Sequence, residues 1–170
     1  DKAKMPGARF FPEARLNFAE NLLRHSDAPG DAIVFWGEDR VKTRLTRAQL
    51  RDEVSRMQQA LAAAGVKEGD RVAAFMPNMP ETVVAMLGAA SLGATFTSCS
   101  PDFGVQGVVD RFGQVEPRIL VCCDGYLYNG KVNESLPRIA EIVAQLPTVE
   151  RVALERSPGA ACKASTSMWG

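Results

Sequence analysis

Apolar positions along the chain switch between a helical period and a strand period, and the switches mark its elements. Leu50, Val54, Met57, Leu61 and Ala64 recur at alternating spacings of four and three, which lays one apolar stripe along about five turns of helix. Its start is written in Thr46-Arg47-Ala48-Gln49, a capping box in which a hydroxyl accepts from a first-turn amide and a glutamine answers three residues on. Gly65 ends it. Arg47, Arg51, Asp52 and Gln58 occupy the solvated face. Residues 71–76, Arg-Val-Ala-Ala-Phe-Met, are short and apolar enough for a strand covered on both faces, the habit of a parallel sheet.

The alternation then repeats. Pro80 stands in the first turn of a helix over residues 81–92, closed by Gly93. A strand over residues 94–98, a helix with Val105, Val108, Val109 and Phe112 on one face, and a strand over 118–123 follow. Residues 124–134 are polar and read as a loop. Leu136, Ile139, Ile142, Val143 and Leu146 define the next helix, and residues 151–154 the last strand. Such βα alternation predicts an open, mostly parallel α/β sheet with right-handed crossovers.

Upstream the pattern is looser. Residues 1–31 carry Pro6, Gly7, Pro12, Pro29 and Gly30 and one short amphipathic helix over 16–23, so a wrapping arm is expected. Ala32-Ile33-Val34-Phe35-Trp36 and Val41-Lys42-Thr43-Arg44-Leu45 flank a polar four-residue turn, the pattern of a β-hairpin. Beyond Glu155 the residues become small and polar, a loop over 156–170. Residues 32–155 thus read as a partial α/β domain whose remaining strands lie downstream.

Composition narrows the function. The chain has 170 residues, 20 Lys and Arg against 20 Asp and Glu, and is 46% hydrophobic. That length supports a sizeable core, and balanced charge excludes the broad basic field of a nucleic-acid or membrane-surface binder. No run of about 18 apolar residues occurs, nor a signal-peptide layout; no membrane partner is expected. Four cysteines without C-x-x-C spacing and a single histidine do not make a zinc pattern. Cys122 and Cys123, inside an apolar run, read as reduced core thiols of a cytoplasmic protein.

Three strand-to-helix segments stand where an open parallel sheet gathers ligands. Met76-Pro77-Asn78-Met79-Pro80-Glu81 reads as a structural corner, with Asn78 able to cap the next helix. Ser98 to Gly107 brings hydroxyls, the Asp102 carboxylate and a glycine to a helix start; it is either a turn in which Asp102 caps that helix or an anion-facing turn. Asp124 to Lys131 contains the turn signal Asn129-Gly130, two tyrosines that could pack on a planar group, and Lys131, a point charge for a phosphate or simply a solvated lysine. G-x-G-x-x-G, G-x-x-x-x-G-K-[ST] and G-x-S-x-G motifs are absent. His25 lies in a polar stretch away from any nucleophile, and Cys99 has no base beside it.

Phe11-Pro12-Glu13-Ala14-Arg15-Leu16-Asn17-Phe18-Ala19-Glu20-Asn21-Leu22-Leu23, then Gly69-Asp70-Arg71-Val72-Ala73 with Pro77-Asn78-Met79-Pro80-Glu81, and finally Ser100-Pro101-Asp102-Phe103-Gly104-Val105-Gln106-Gly107 together resemble the N-terminal part of the adenylate-forming acyl-CoA synthetases. The Ser100 to Phe112 run and Tyr128-Asn129-Gly130-Lys131 are most similar to the acetoacetate-activating branch. The resemblance implies a two-step ligase for acetoacetate, with ATP and Mg in the whole enzyme and CoA as co-substrate. It places the phosphate loop, the adenine and ribose contacts and the catalytic lysine beyond Gly170, so no catalytic residue is assigned and the 170 residues alone are expected to be inactive. It also implies that Ser100, Pro101 and Asp102 lie where the nucleotide end of CoA docks, with Lys131 near its phosphates. Acetate-activating relatives have a glycine-rich turn in place of Ser100-Pro101-Asp102, and Asp102 would repel a phosphate unless it binds an amide or a ribose hydroxyl instead. The alternatives are a ligase for another short acid and a non-catalytic α/β binding or interaction domain. Exposed strand edges make oligomerisation a further expectation.

Overall fold

A computed structural model describes residues 6–38 and 41–156. Asp39, Arg40 and, except for Arg156, the loop expected over residues 156–170 lie outside them. The chain opens with α1 (Phe18–Leu23), where the Asn17 side chain accepts from the Glu20 amide at 3.1 Å. β1 (Asp31–Gly37) and β2 (Val41–Thr46) form the antiparallel hairpin. α2 (Arg47–Ala63) starts as its capping box demands: the Gln49 amide donates to Thr46 Oγ1 at 3.2 Å and the Thr46 amide to Gln49 Oε1 at 2.9 Å. Gly65, at φ 84°, supplies the left-handed turn that lets the Val66 amide reach back to the Leu61 carbonyl.

The βα repeats follow as β3 (Arg71–Phe75), α3 (Pro80–Ser91), β4 (Thr95–Cys99), α4 (Val105–Val115) and β5 (Ile119–Cys123). After β5 the structure departs from the expected loop. β6 (Gly125–Tyr128) and β7 (Lys131–Glu134) make a second antiparallel hairpin about Asn129-Gly130. Four-residue strands are too short to display a period, so only their turn was visible in the sequence. α5 (Leu136–Ala144) and β8 (Arg151–Glu155) complete the order.

The main sheet runs β4-β3-β5-β8, parallel throughout. Its two central strands alternate between two apolar layers. Val72 and Ala74 of β3 and Ile119, Val121 and Cys123 of β5 face α2 and α3, meeting Leu61, Ala85 and Ala89. Ala73, Phe75, Leu120 and Cys122 face α4 and α5, meeting Val108, Phe112, Ile139 and Ile142. The result is helix on sheet on helix. The arm is tied to the first layer: Ala19 is fully buried with Leu50, Val54 and Leu87, and Asn17 Nδ2 donates to the last carbonyls of α3, Ala90 at 3.1 Å and Ser91 at 3.2 Å.

This strand order positions the site. β3 leads to β4 on one side, and the chain then returns across β3 to β5 on the other, so right-handed crossovers send α3 and α4 to opposite faces. The loops after β3 and β5 diverge and open a crevice at the carboxyl ends of the central strands. Asn78, expected to cap α3, does not: the N-cap is Met79, without a side-chain bond, and Asn78 is exposed. Thr82 closes the turn instead, its hydroxyl donating to the Pro77 carbonyl at 2.7 Å.

On the α2/α3 face, a groove of about 1090 Å³ runs between the helices and β5 and β8, past Met57, Leu61, Val84, Ile119 and Val152. Glu53, Glu81 and Glu155 also line it. Burial raises the pKa of both Glu81 and Glu155 above the ordinary 4.5; a backbone hydrogen bond partly offsets it at Glu81, where Glu53 adds repulsion, and Glu81 and Glu53 add repulsion at Glu155. Glu81 Oε2 is buried without a hydrogen-bond partner.

Two outcomes follow from this packing. Gly88 of α3 faces α2 so closely that a Cβ there would lie 2.6 Å from Met57 Cγ and 3.3 Å from the Gln58 backbone nitrogen. Gly88→Ala gains at most about 1 kcal/mol of helix propensity against roughly 1–3 kcal/mol of overpacking, so urea denaturation should show net destabilisation. For Glu81, a raised carboxyl pKa makes the folded state bind the proton more tightly, so its contribution is present below pH 4.5 and lost as pH rises. Glu81→Gln should therefore melt roughly 1–3 °C higher than the parent at pH 7, and the gap should close in acid.

Candidate functional site

The crevice at the carboxyl ends of β3 and β5 is roofed by two hairpins. Phe35, Trp36 and Glu38 of the first, Pro77, Asn78 and Met79 after β3, and Tyr126, Leu127 and Tyr128 of the second enclose about 250 Å³. Beside it, the loop after β4 carries Ser100, Pro101 and Asp102.

That loop is built by its own short bonds and by distant side chains. Ser100 Oγ donates to Asp102 Oδ2 at 3.0 Å, and the Phe103 amide donates to the Ser100 carbonyl at 3.1 Å. Pro101 is buried, and its carbonyl accepts from Arg138 Nη1 of α5 at 2.6 Å. The Tyr126 hydroxyl donates to Asp102 Oδ1 at 3.0 Å. Asp102 therefore does not cap α4, as one sequence expectation had it: the N-cap is Gly104, with no side-chain bond to the first turn. The reason is geometric. Both Asp102 oxygens are taken by hydroxyls on the side of the loop facing β6, which leaves the first-turn amides of α4 without a protein carboxylate.

This arrangement changes the electrostatics of the turn. The Asp102 carboxylate accepts from two hydroxyls, and two guanidinium groups pack on aromatic rings of neighbouring residues. Arg138 lies 5.9 Å from the Tyr126 ring centre, and Arg111 lies 4.3 Å from that of Phe103, an exposed ring. Arginines paired with aromatic faces keep donors available for planar or phosphorylated ligands. Arg111, Arg138 and Phe103 were not singled out as site residues by sequence reasoning; Tyr126 was, as a ring for a planar group, but without its hydroxyl bond to Asp102. Arg138 bonds a residue 37 positions upstream, and no local pattern signals such a pairing.

Lys131, the fourth candidate, is exposed and opens β7 opposite Tyr128. It stands at the hairpin tip, about 7 Å along the strand from Tyr126, so the hairpin itself joins Lys131 to the Ser100 loop. Cys99 is unsuited to nucleophilic work: it is 3% exposed, and burial raises its pKa. Burial likewise pushes Cys123 up to about 11. Among the described residues no group of three or more His, Cys, Asp or Glu side chains could hold a metal ion, and no helix is long and apolar enough to cross a membrane.

The AMP-binding enzyme family matches residues 22–167. The chain belongs to that family. Within it, the chain is 58% identical over 151 residues to the acetoacetyl-coenzyme A synthetase of Rhizobium meliloti strain 1021, a match covering 88% of this chain and 23% of that protein. The acetoacetyl-CoA synthetase of Mus musculus is 42% identical over 146 residues, covering 85% of this chain and 22% of its own. The solved acetoacetyl-CoA synthetase from Streptomyces lividans superposes with a TM-score of 0.84 at 40% identity, over 92% of this chain and 25% of that one. The chain thus spans about a quarter of the length of these AMP-binding relatives, and its parallel βα architecture is theirs.

The Tyr126 to Asp102 bond is the testable joint of the site. Tyr126 is buried, so Tyr126→Phe removes one hydroxyl donor without opening a cavity. The expected cost is about 1 kcal/mol in denaturant unfolding, with Tyr126→Ala costing more through lost packing.

Proposed function

We propose that these residues form the CoA-facing part of an ATP-dependent acid-thiol ligase that makes acetoacetyl-CoA in the cytosol. The carrying observation is the 58% identity to a named acetoacetyl-coenzyme A synthetase across 88% of the chain. In the proposed reaction the acetoacetate carboxylate attacks the α-phosphorus of ATP, pyrophosphate leaves, and the CoA thiolate then displaces AMP from the acyl carbonyl. Both half-reactions need charge neutralisation and alignment more than covalent help from the protein.

The part assigned here is CoA recognition. Ser100 and the backbone of Pro101-Asp102 shape the turn, the open first turn of α4 favours an anion, and Lys131 with Arg111 and Arg138 supplies the positive charge for phosphates. Asp102, held by Ser100 and Tyr126, keeps the turn in shape instead of meeting the phosphate. The described residues do not bring together ligands suited to Mg, so no step is assigned through it. ATP and acetoacetate contacts are assigned to the rest of the enzyme, and the 170 residues alone are expected to catalyse neither half-reaction.

A second acid has a specific observation behind it. The malonamoyl-CoA synthetase vrtB of Penicillium aethiopicum is 40% identical over 160 residues, 91% of this chain. Acetoacetate and malonamate share a carbonyl two bonds from the carboxylate, so both acids belong in the assay. With the full-length enzyme, AMP and acyl-CoA formation should be fastest with acetoacetate, and a higher kcat/KM for malonamate would reverse the assignment. Lys131→Ala should raise the KM for CoA about fivefold, close to 1 kcal/mol, while leaving the KM values for ATP and acetoacetate in place. An unchanged KM for CoA would remove Lys131 from the site.

A further inference from the structure

Two-stranded hairpins are marginal on their own, and β6–β7 carries Lys131 at its tip. Its base is secured: the Asp124 amide donates to the Glu155 carbonyl at 3.1 Å, the Ser135 amide to the Asp124 carbonyl at 3.0 Å, and Tyr126 to Asp102. Its tip is held from a different quarter of the fold. The Asn129 and Gly130 amides, on successive residues with φ of 50° and 73°, both donate to the Glu38 carboxylate, Asn129 to Oε1 and Gly130 to Oε2, the latter at 2.7 Å. Glu38 lies in the β1–β2 turn, 91 residues upstream of Asn129, itself in a left-handed conformation at φ 48°. Two amides converging on one carboxylate make a charge-assisted, two-point bond.

We propose that Glu38 is a positioning residue for CoA binding: by clamping the Asn129-Gly130 turn it fixes Lys131, the next residue, over the crevice. This role rests on the assignment of Lys131 to CoA phosphate. Asn-Gly forms its tight turn without help, so Glu38 is not needed to make the turn. What it sets is the direction of the hairpin, because among the described residues it bonds the tip to the first hairpin across the crevice that both hairpins line. Its charge is spent on the two amides, which leaves the Lys131 ammonium for a ligand.

The full-length enzyme tests this with Glu38→Ala, Glu38→Gln and Lys131→Ala, reading steady-state kinetics and amide hydrogen exchange over residues 125–134. Exposed charge-assisted bonds contribute modestly, so Glu38→Ala should raise the KM for CoA about threefold. It should leave kcat and the KM for ATP near the parent's values and speed exchange at the hairpin tip. Glu38→Gln keeps one acceptor oxygen and should fall between. If Lys131→Ala raises the KM for CoA while Glu38→Ala changes neither that KM nor the exchange, the positioning role is overturned and the CoA site stands. If Lys131→Ala also leaves the KM unchanged, the CoA site itself fails. A fall in the KM for CoA with Glu38→Ala would make Glu38 a competing anion and would overturn the proposal.

Discussion

Everything in the described structure depends on two central strands whose apolar runs have no side to show to water. β3 between Val72 and Phe75, and β5 throughout, are buried on both faces. Each large side chain there is worth about 1.5–3 kcal/mol when removed from water, and strand geometry sends neighbours to opposite sides. One helical layer could satisfy only half of them. The chain therefore supplies two, α2 with α3 and α4 with α5, and the need to cross from one face to the other produces the strand order β4-β3-β5-β8.

The crevice is a by-product of that crossing. Diverging loops at the carboxyl ends of β3 and β5 leave a space that backbone alone cannot fill, and the two hairpins roof it. The floor is rigid apolar core, whereas the roof is held by a few polar bonds. Tyr126 to Asp102, Arg138 to Pro101 and Glu38 to the Asn129-Gly130 turn join segments that are 24, 37 and about 91 residues apart.

Local chemistry was legible where the partners are sequence neighbours. The Thr46 to Gln49 capping box, the stripe from Leu50 to Leu61 and the glycine stop at Gly65 were readable because bonds three or four residues apart depend on little else. The failures have the opposite character. Asn78 has the side chain of a helix cap, but two flanking prolines and the Thr82 hydroxyl settle the turn without it. Asp102 has a capping carboxylate and gives it to Ser100 and to Tyr126, a partner set by the β6–β7 hairpin. That hairpin was itself hidden, since four residues per strand leave too few positions for a period to stand out.

Contiguous residues carry the alternation of strand and helix, the two-faced burial of β3 and β5, and the family resemblance in residues 100–112 and 128–131, since each is a property of neighbours along the chain. Which side chains meet at the carboxyl edge is settled by packing in three dimensions. Arg111 and Arg138 join the site, Asp102 turns away from its helix, and Glu38 reaches the turn before Lys131. Those pairings depend on where the crossovers place helices and hairpins in space, and no local spacing encodes that.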